Sequence, residues 1–251
     1  MSVTEIGSAR FDEAQIRVDL AAAFRIAARM GFNESVGNHF SAVVSADGKR
    51  FLTNPNGRHF SLVKASELLV LDADDPATMD RPDAPDPSTW SIHGAIHARI
   101  PAARAVLHCH PPYATAMCCL EDPTIPPIDQ ATARFWGRVV YDTEISGPPD
   151  ELAEGARVAE AMKGHSVMMM GNHGVTVVGR SVAHAFEDLY YLERACRNVV
   201  LALSTGRPLK VMDDTLANQM IEMWARYPDQ GVAHFEEQKT LLDDEDPSYR
   251  D

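Results

Sequence analysis

Two long amphipathic stretches bracket a run of apolar segments too short to be helices, and this arrangement limits the possible folds more than any other feature. The first stretch covers about Asp12 to Met30. Ile16, Leu20, Phe24 and Ala27 recur at helical spacing, Asp12 can cap the start, and Gly31 can end it. The second covers about Val182 to Ser204, with Ala185, Leu189, Leu192, Cys196, Val199 and Leu203 on one stripe and Gly206 beyond it. Between them HFSAVV, RFLTN and LLVLD are parted by the turn formers SADGK and NPNGR, which predicts strands and hairpins. The pattern then predicts a helix over Thr89 to Ile100 with Ser88 as its N-cap, and a strand from Ala102 to His110 broken by Pro111. A helix from Glu151 to Lys163 comes next, then two strands around a turn at Gly171–Gly174. One more amphipathic helix is expected from Thr215 onward. Helices alternating with short strands leave an α/β or α+β fold, with helices covering a central sheet.

At 251 residues and 45% apolar content the chain can bury a full core, and no linker divides it into comparable halves. The expected division is a flexible N-terminus over 1–10, a single domain over 11–240 and a frayed acidic tail over 241–251. Residues 72–87, with six Asp and four Pro, read as an acidic surface loop. Asp and Glu total 36 against 23 Lys and Arg, a net charge of −13. Such a surface repels phosphate backbones and anionic headgroups, so neither nucleic acid nor membrane is an expected partner. The start of the chain has no apolar core of a signal peptide, and the four cysteines form no disulfide framework. A cytoplasmic protein with reduced thiols is the expectation.

Ten histidines carry the chemical interest. His108 and His110, in AVLHCHPPY, lie two apart on a strand, so both rings project from one face while Cys109 points away. That geometry can hold one metal ion at about 2.0–2.2 Å from each nitrogen. Two solvent-facing histidines on an edge strand would give the same pattern. His173 sits in the turn GNHGV, where flanking glycines allow close backbone approach. His93 and His97 share a helix face at i,i+4, as a ligand pair or a half-buried polar stripe would.

Taken together, a strand ending in HxH, a third His in a glycine-flanked turn some sixty residues on, and Pro87-Ser88-Thr89-Trp90 opening the preceding helix resemble the class II aldolase/adducin family. Its relatives include sugar-phosphate aldolases acting on fuculose and rhamnulose phosphates. The likeness runs from roughly Phe11 to Gly206. It implies a three-layer α/β/α sandwich around a mainly antiparallel sheet, assembled as a homotetramer. It also implies one divalent metal ion per subunit on His108, His110 and His173, zinc first, with Mn, Fe or Co also compatible with imidazole ligands. A C-terminal stripe of Met220, Ile221, Met223, Trp224 and Tyr227 fits either a subunit contact or docking onto its own subunit.

The chain departs from the aldolases at the proton-transfer group. The aldolases read P-S-S-E-W, and their Glu is a metal ligand and the general acid/base. Aligned on Trp90, this chain has Thr89 there, and a threonine hydroxyl cannot act as a carboxylate does at neutral pH. His39 of Asn38-His39-Phe40-Ser41 stands where an aldolase Asn contacts substrate, while Asn56 and Gly57 of the NPNG turn keep the anion-loop position. Both departures resemble the adducin-like branch. Adducin's cytoskeletal head domain lacks the metal triad, which this chain keeps. The leading expectation is therefore a metal-dependent lyase that cleaves a carbon–carbon bond beside a carbonyl or carboxylate, by retro-aldol cleavage or decarboxylation. Tyr113, His39 and His93 are the candidate acid/base groups. Arg58, with Asn56, Gly57, Ser88 and Thr89, would bind an unphosphorylated carboxylate substrate. The alternatives are a non-haem iron oxygenase on the same scaffold and a non-catalytic adducin-like binding module.

Overall fold

The computed structural model describes residues 12–143 and 151–251, and the flexible segment expected over 1–10 lies outside them. At its centre is a seven-stranded sheet of β1 (His39–Val43), β2 (Arg50–Thr53), β3 (Leu69–Asp72), β4 (Ala105–Cys109), β5 (Val139–Asp142), β6 (Val167–Met170) and β7 (Val175–Gly179). The order is β3-β2-β1-β4-β7-β6-β5, and every pair is antiparallel except β5–β6. The pattern predicts helices over a central sheet, and the mainly antiparallel α/β/α sandwich is the one that the family resemblance implies.

Alternation along the strands separates two faces. Phe40, Leu107, Cys109, Val175 and Val177 point to one side, where α1 (Glu13–Arg29) and α6 (Val182–Leu203) cover them. Phe40 sits in an aromatic trio with Phe24 and Phe60, at ring-centroid distances of 4.8 and 5.0 Å. Val106, Met168 and Val178 point the other way, under α2 (Gly94–Arg99) and α5 (Leu152–Ala161). The first helix is capped as expected, with Asp12 accepting from the Gln15 amide at 3.1 Å.

The helix predicted over Thr89 to Ile100 is two pieces, a π-helical turn over Thr89–His93 running into α2. Ser88 does not cap it, because its own backbone is already helical (φ −61°, ψ −26°) and its side chain turns elsewhere. Two short helices, α3 (Pro112–Cys118) and α4 (Gln130–Ala133), and the edge strand β5 fill a stretch without sequence expectations. The prolines that break β4 also open α3, since Pro is tolerated where a helix needs no N–H.

The C-terminus holds two helices rather than one, α7 (Asp214–Ala225) and α8 (Gln230–Glu245), parted around Pro228. The acidic tail is docked, not frayed. Residues through Glu245 continue α8, and Tyr249 is fully buried with its hydroxyl donating to Asp243 at 2.9 Å. Arg25 pairs with Asp246 at 3.1 Å and Arg250 with Asp243 at 2.7 Å, so the tail's negative charge is matched locally. In the C-terminal stripe the Trp224 indole donates to the Gln130 carbonyl, which docks α7 on α4 of its own subunit. Among the described residues no helix is long and apolar enough to cross a membrane.

Candidate metal centre and its buried histidine chain

Strand register builds the site. His39 on β1 is paired directly with His108 on β4, which is paired in turn with Thr176 on β7, so three polar side chains lie abreast on one face. His110 follows the end of β4, and His173 is delivered by the β6–β7 turn, where Asn172 holds a left-handed backbone (φ 55°). The other two non-glycine residues with positive φ among those described are Ser35, next to the cavity residue Glu34, and Asn38, which lines the cavity itself. Such backbone strain persists where surrounding structure fixes a functional geometry.

The ring nitrogens of His108, His110 and His173 that could bind an ion all lie within 4.8 Å of one another. Two donors of a tetrahedral ion stand about 3.4 Å apart, so small side-chain rotations suffice to close the set. His108 Nδ1 donates to the Val175 carbonyl at 3.0 Å, which fixes the tautomer and bares Nε2. His110 Nδ1 meets the Glu34 carboxylate at 2.7 Å, and its buried Nε2 has no hydrogen-bond partner. An orphaned buried nitrogen costs about 1–3 kcal/mol unless something binds it. Burial drives the His108 pKa well down and lowers that of His173, so both rings are neutral at pH 7 with lone pairs free. The cradle is tight. A Cβ on Gly174 would come within 2.2 Å of the His110 ring and 2.8 Å of the Cys109 carbonyl. The trio therefore fits a divalent ion.

The histidines border a cavity of about 240 Å³, also lined by Glu34, Asn38, His39, Asp86, Ser88 and His93. From it a chain of hydrogen bonds runs inward. Ser88 Oγ contacts Asp86 at 2.5 Å and His39 Nε2 at 2.9 Å. His39 Nδ1 lies 2.9 Å from His93 Nε2, and Ser41 Oγ lies 2.7 Å from His93 Nδ1 and 2.8 Å from His97 Nε2. His97 Nδ1 ends the chain 2.7 Å from the Ala103 carbonyl. Burial lowers the His39 and His97 pKa to about 4 and that of His93 well below its ordinary value. Two hydrogen bonds meet at Ser88 Oγ, which owns one proton, so Asp86, Ser88 and His39 together hold a second.

Several expected site residues lie apart from this cavity. Tyr113 lines a separate 280 Å³ cavity with Glu193 and Arg197, because Glu193 accepts from the Tyr113 and Ala114 amides and seats the start of α3 away from the histidines. Arg58 is held bidentately by Glu67 at 3.0 and 2.7 Å and also donates to the Leu62 carbonyl, which occupies its guanidinium. Asn56 and Gly57 belong to a turn tied by the Asn56 amide to the Ala84 carbonyl and do not line the cavity. Thr89 is fully buried with its hydroxyl unpartnered, outside the cavity lining. Ser88 is the residue of that pair that faces the site. Sequence reasoning missed Glu34, Ser41, Asp86 and the contact of His97 with Ser41. The cysteines are all unpaired, and all but Cys119 are buried.

Residues 18–200 match the family described as class II aldolase and adducin N-terminal domain. The chain is 31% identical over 195 residues to a putative aldolase class 2 protein of Caulobacter vibrioides, covering 78% of this chain and 75% of that protein. It is 26% identical over 193 residues to decarboxylase NovR of Streptomyces niveus, covering 76% of this chain and 71% of NovR. An aldolase II superfamily protein from Pseudomonas syringae has a similar solved structure, with a TM-score of 0.85 at 32% identity over 95% of this chain and 96% of that one.

Proposed function

The chain belongs to the class II aldolase and adducin family, and on that footing we propose that it is a metal-dependent lyase. It cleaves a carbon–carbon bond beside a carbonyl or carboxylate of a small unphosphorylated hydroxy or oxo acid. The observation that carries this reading is the convergence of the imidazole nitrogens of His108, His110 and His173, one of them orphaned, beside a cavity that also holds a proton-bearing group. These three histidines hold one divalent ion, zinc foremost, with Mn, Fe or Co also suited to imidazole. When bound, the ion supplies Lewis-acid stabilisation of the negative charge that develops on a substrate oxygen as the bond breaks.

The remaining work falls to this chain's other side chains. Cleavage needs a base for a substrate hydroxyl or an acid for the carbon left behind, and the His39–Ser88–Asp86 group holds a proton at the cavity wall. It takes the place of the missing Glu, with His39 as acid/base, Ser88 in contact with substrate and His93 behind His39. Among the described residues no Lys or Arg lines the cavity, so a phosphate dianion meets no cationic side chain there, whereas a singly charged carboxylate beside a chelating oxygen suits an ion on three imidazoles. The protein works as a cytoplasmic homotetramer in this reading.

The test is elemental analysis of protein purified without chelator, beside His108→Ala, with a screen of hydroxy- and oxo-carboxylates. One ion per chain in the wild type, none in the variant, and turnover of at least one acid are expected. Equal metal in both would overturn the metal centre. Turnover that requires oxygen would replace the lyase by an oxygenase.

A further inference from the structure

The buried half of the histidine chain has only one hydrogen-bond direction open to it. A carbonyl oxygen only accepts, so His97 Nδ1 carries the proton it shares with Ala103, and neutral His97 offers Nε2 as an acceptor. Ser41 has one hydroxyl proton and must point it at His97 Nε2. Its oxygen is then left to accept from His93 Nδ1, which leaves His93 Nε2 bare. That bare nitrogen accepts from His39 Nδ1. Each reversal would set two donors or two acceptors face to face, with Ser41, His93 and His97 all buried.

We propose that His97 is a positioning residue: anchored on the Ala103 carbonyl and acting through Ser41 and His93, it holds a proton on His39 Nδ1 and so leaves Nε2 as the nitrogen that shares the second proton of the Ser88–Asp86 group. Neutral imidazole in water favours the opposite, Nε2–H form, so the protein imposes this one. The backbone around the anchor is held closely. A Cβ on Gly48 would meet the His97 carbonyl at 2.6 Å, and a Cβ on Gly155 would meet the Ser91 carbonyl of the π-turn at 2.1 Å, so β-hairpin and α5 clamp the helix that carries His93 and His97. The catalytic meaning of the device rests on reading His39 as the acid/base group, but the direction of the bonds does not.

Neutron diffraction from deuterium-exchanged crystals of the zinc-loaded full chain reads the direction outright. Deuterons are expected on Nδ1 of His39, His93 and His97 and on Ser41 Oγ toward His97. A deuteron on Nε2 of His93 or His97 would overturn the proposal. In Ser41→Ala, long-range proton–nitrogen correlation spectra of nitrogen-15-histidine-labelled protein should show His97 still in its Nδ1–H form, and His93 and His39 shifted to mixed forms. Zinc content should equal that of the wild type, and Ser41→Thr should restore the single form. His39 unchanged in Ser41→Ala would equally refute the device. If the deuterons lie as expected and no acid is turned over, only the lyase reading falls; if an acid is turned over and the deuterons lie otherwise, only the positioning role falls.

Discussion

Replacing Gly174 by Ala tests how closely the turn seats the metal ligands. The new Cβ would stand 2.2 Å from His110 Cδ2, 2.8 Å from the Cys109 carbonyl oxygen and 2.9 Å from His110 Nε2. Carbon atoms rest at about 3.5–4.0 Å, so the ring must retreat by at least about 1.3 Å. A ligand distance tolerates an error of only about 0.2 Å, so His110 leaves the coordination set. Loss of an outer-shell partner already weakens metal binding by about 10–100-fold, and displacement of a ligand should exceed that, with a loss of at least about 100-fold. The Cys109 carbonyl belongs to the β4–β7 ladder and cannot yield freely. Overpacking there should cost about 1–3 kcal/mol, a fall in Tm of roughly 2–12 °C for a chain of this size. The assay pairs zinc titration against a competing chelator with thermal melts of the metal-free protein. Adding His110→Ala should recover part of the Tm and none of the affinity. Gly174→Ala protein that binds one zinc at wild-type affinity would refute the reasoning.

Glu34→Gln should keep the fold, because Glu34 is largely exposed, and should weaken metal retention about 10–100-fold by loosening the His110 contact, as read by chelator competition. Stability should fall on acidification. His97 is held neutral to about pH 4 by burial while the unfolded chain takes up a proton near 6.5, so its contribution is full above 6.5 and lost as pH drops toward 4, at up to about 1.4 kcal/mol per pH unit. His97→Asn should flatten that part of a denaturant–pH profile, and an unchanged slope would contradict it. Fuculose 1-phosphate should not be cleaved at a useful rate, since among the described residues no cationic side chain lines the cavity; efficient cleavage in a coupled assay would refute the carboxylate preference.

Period-two alternation made His108 and His110 legible as a pair in the sequence, and the glycines around His173 marked a turn that could reach them. The contributors that escaped notice come from remote parts of the chain. Glu34 lies 76 residues from the His110 it contacts, and Asp86 was hidden among the other acidic residues of a loop whose composition signals only solvent. Tyr113 and Arg58 stand beside motifs in the sequence, yet the Pro111–Pro112 turn leads Tyr113 into α3, and Glu67, nine residues after Arg58, claims its guanidinium. Residue type alone makes Ser88 a helix cap. The π-helical turn, which sequence periodicity does not announce, frees its hydroxyl for His39.

Strand β1 alternates His39, Phe40 and Ser41, and the middle ring of those three is wedged between Phe24 and Phe60 on the far side of the sheet. A slip of one residue would bury His39 among aromatics and thrust Phe40 against His108. The half of the centre carried by strands is therefore closed to gradual change, because any step there must also rebuild the hydrophobic layer behind it. The half carried by loops (Glu34, Asp86 and His173) can exchange one side chain at a time. Selection for a new substrate acting on this scaffold should find its winning substitutions in those loops, and leave the sheet untouched.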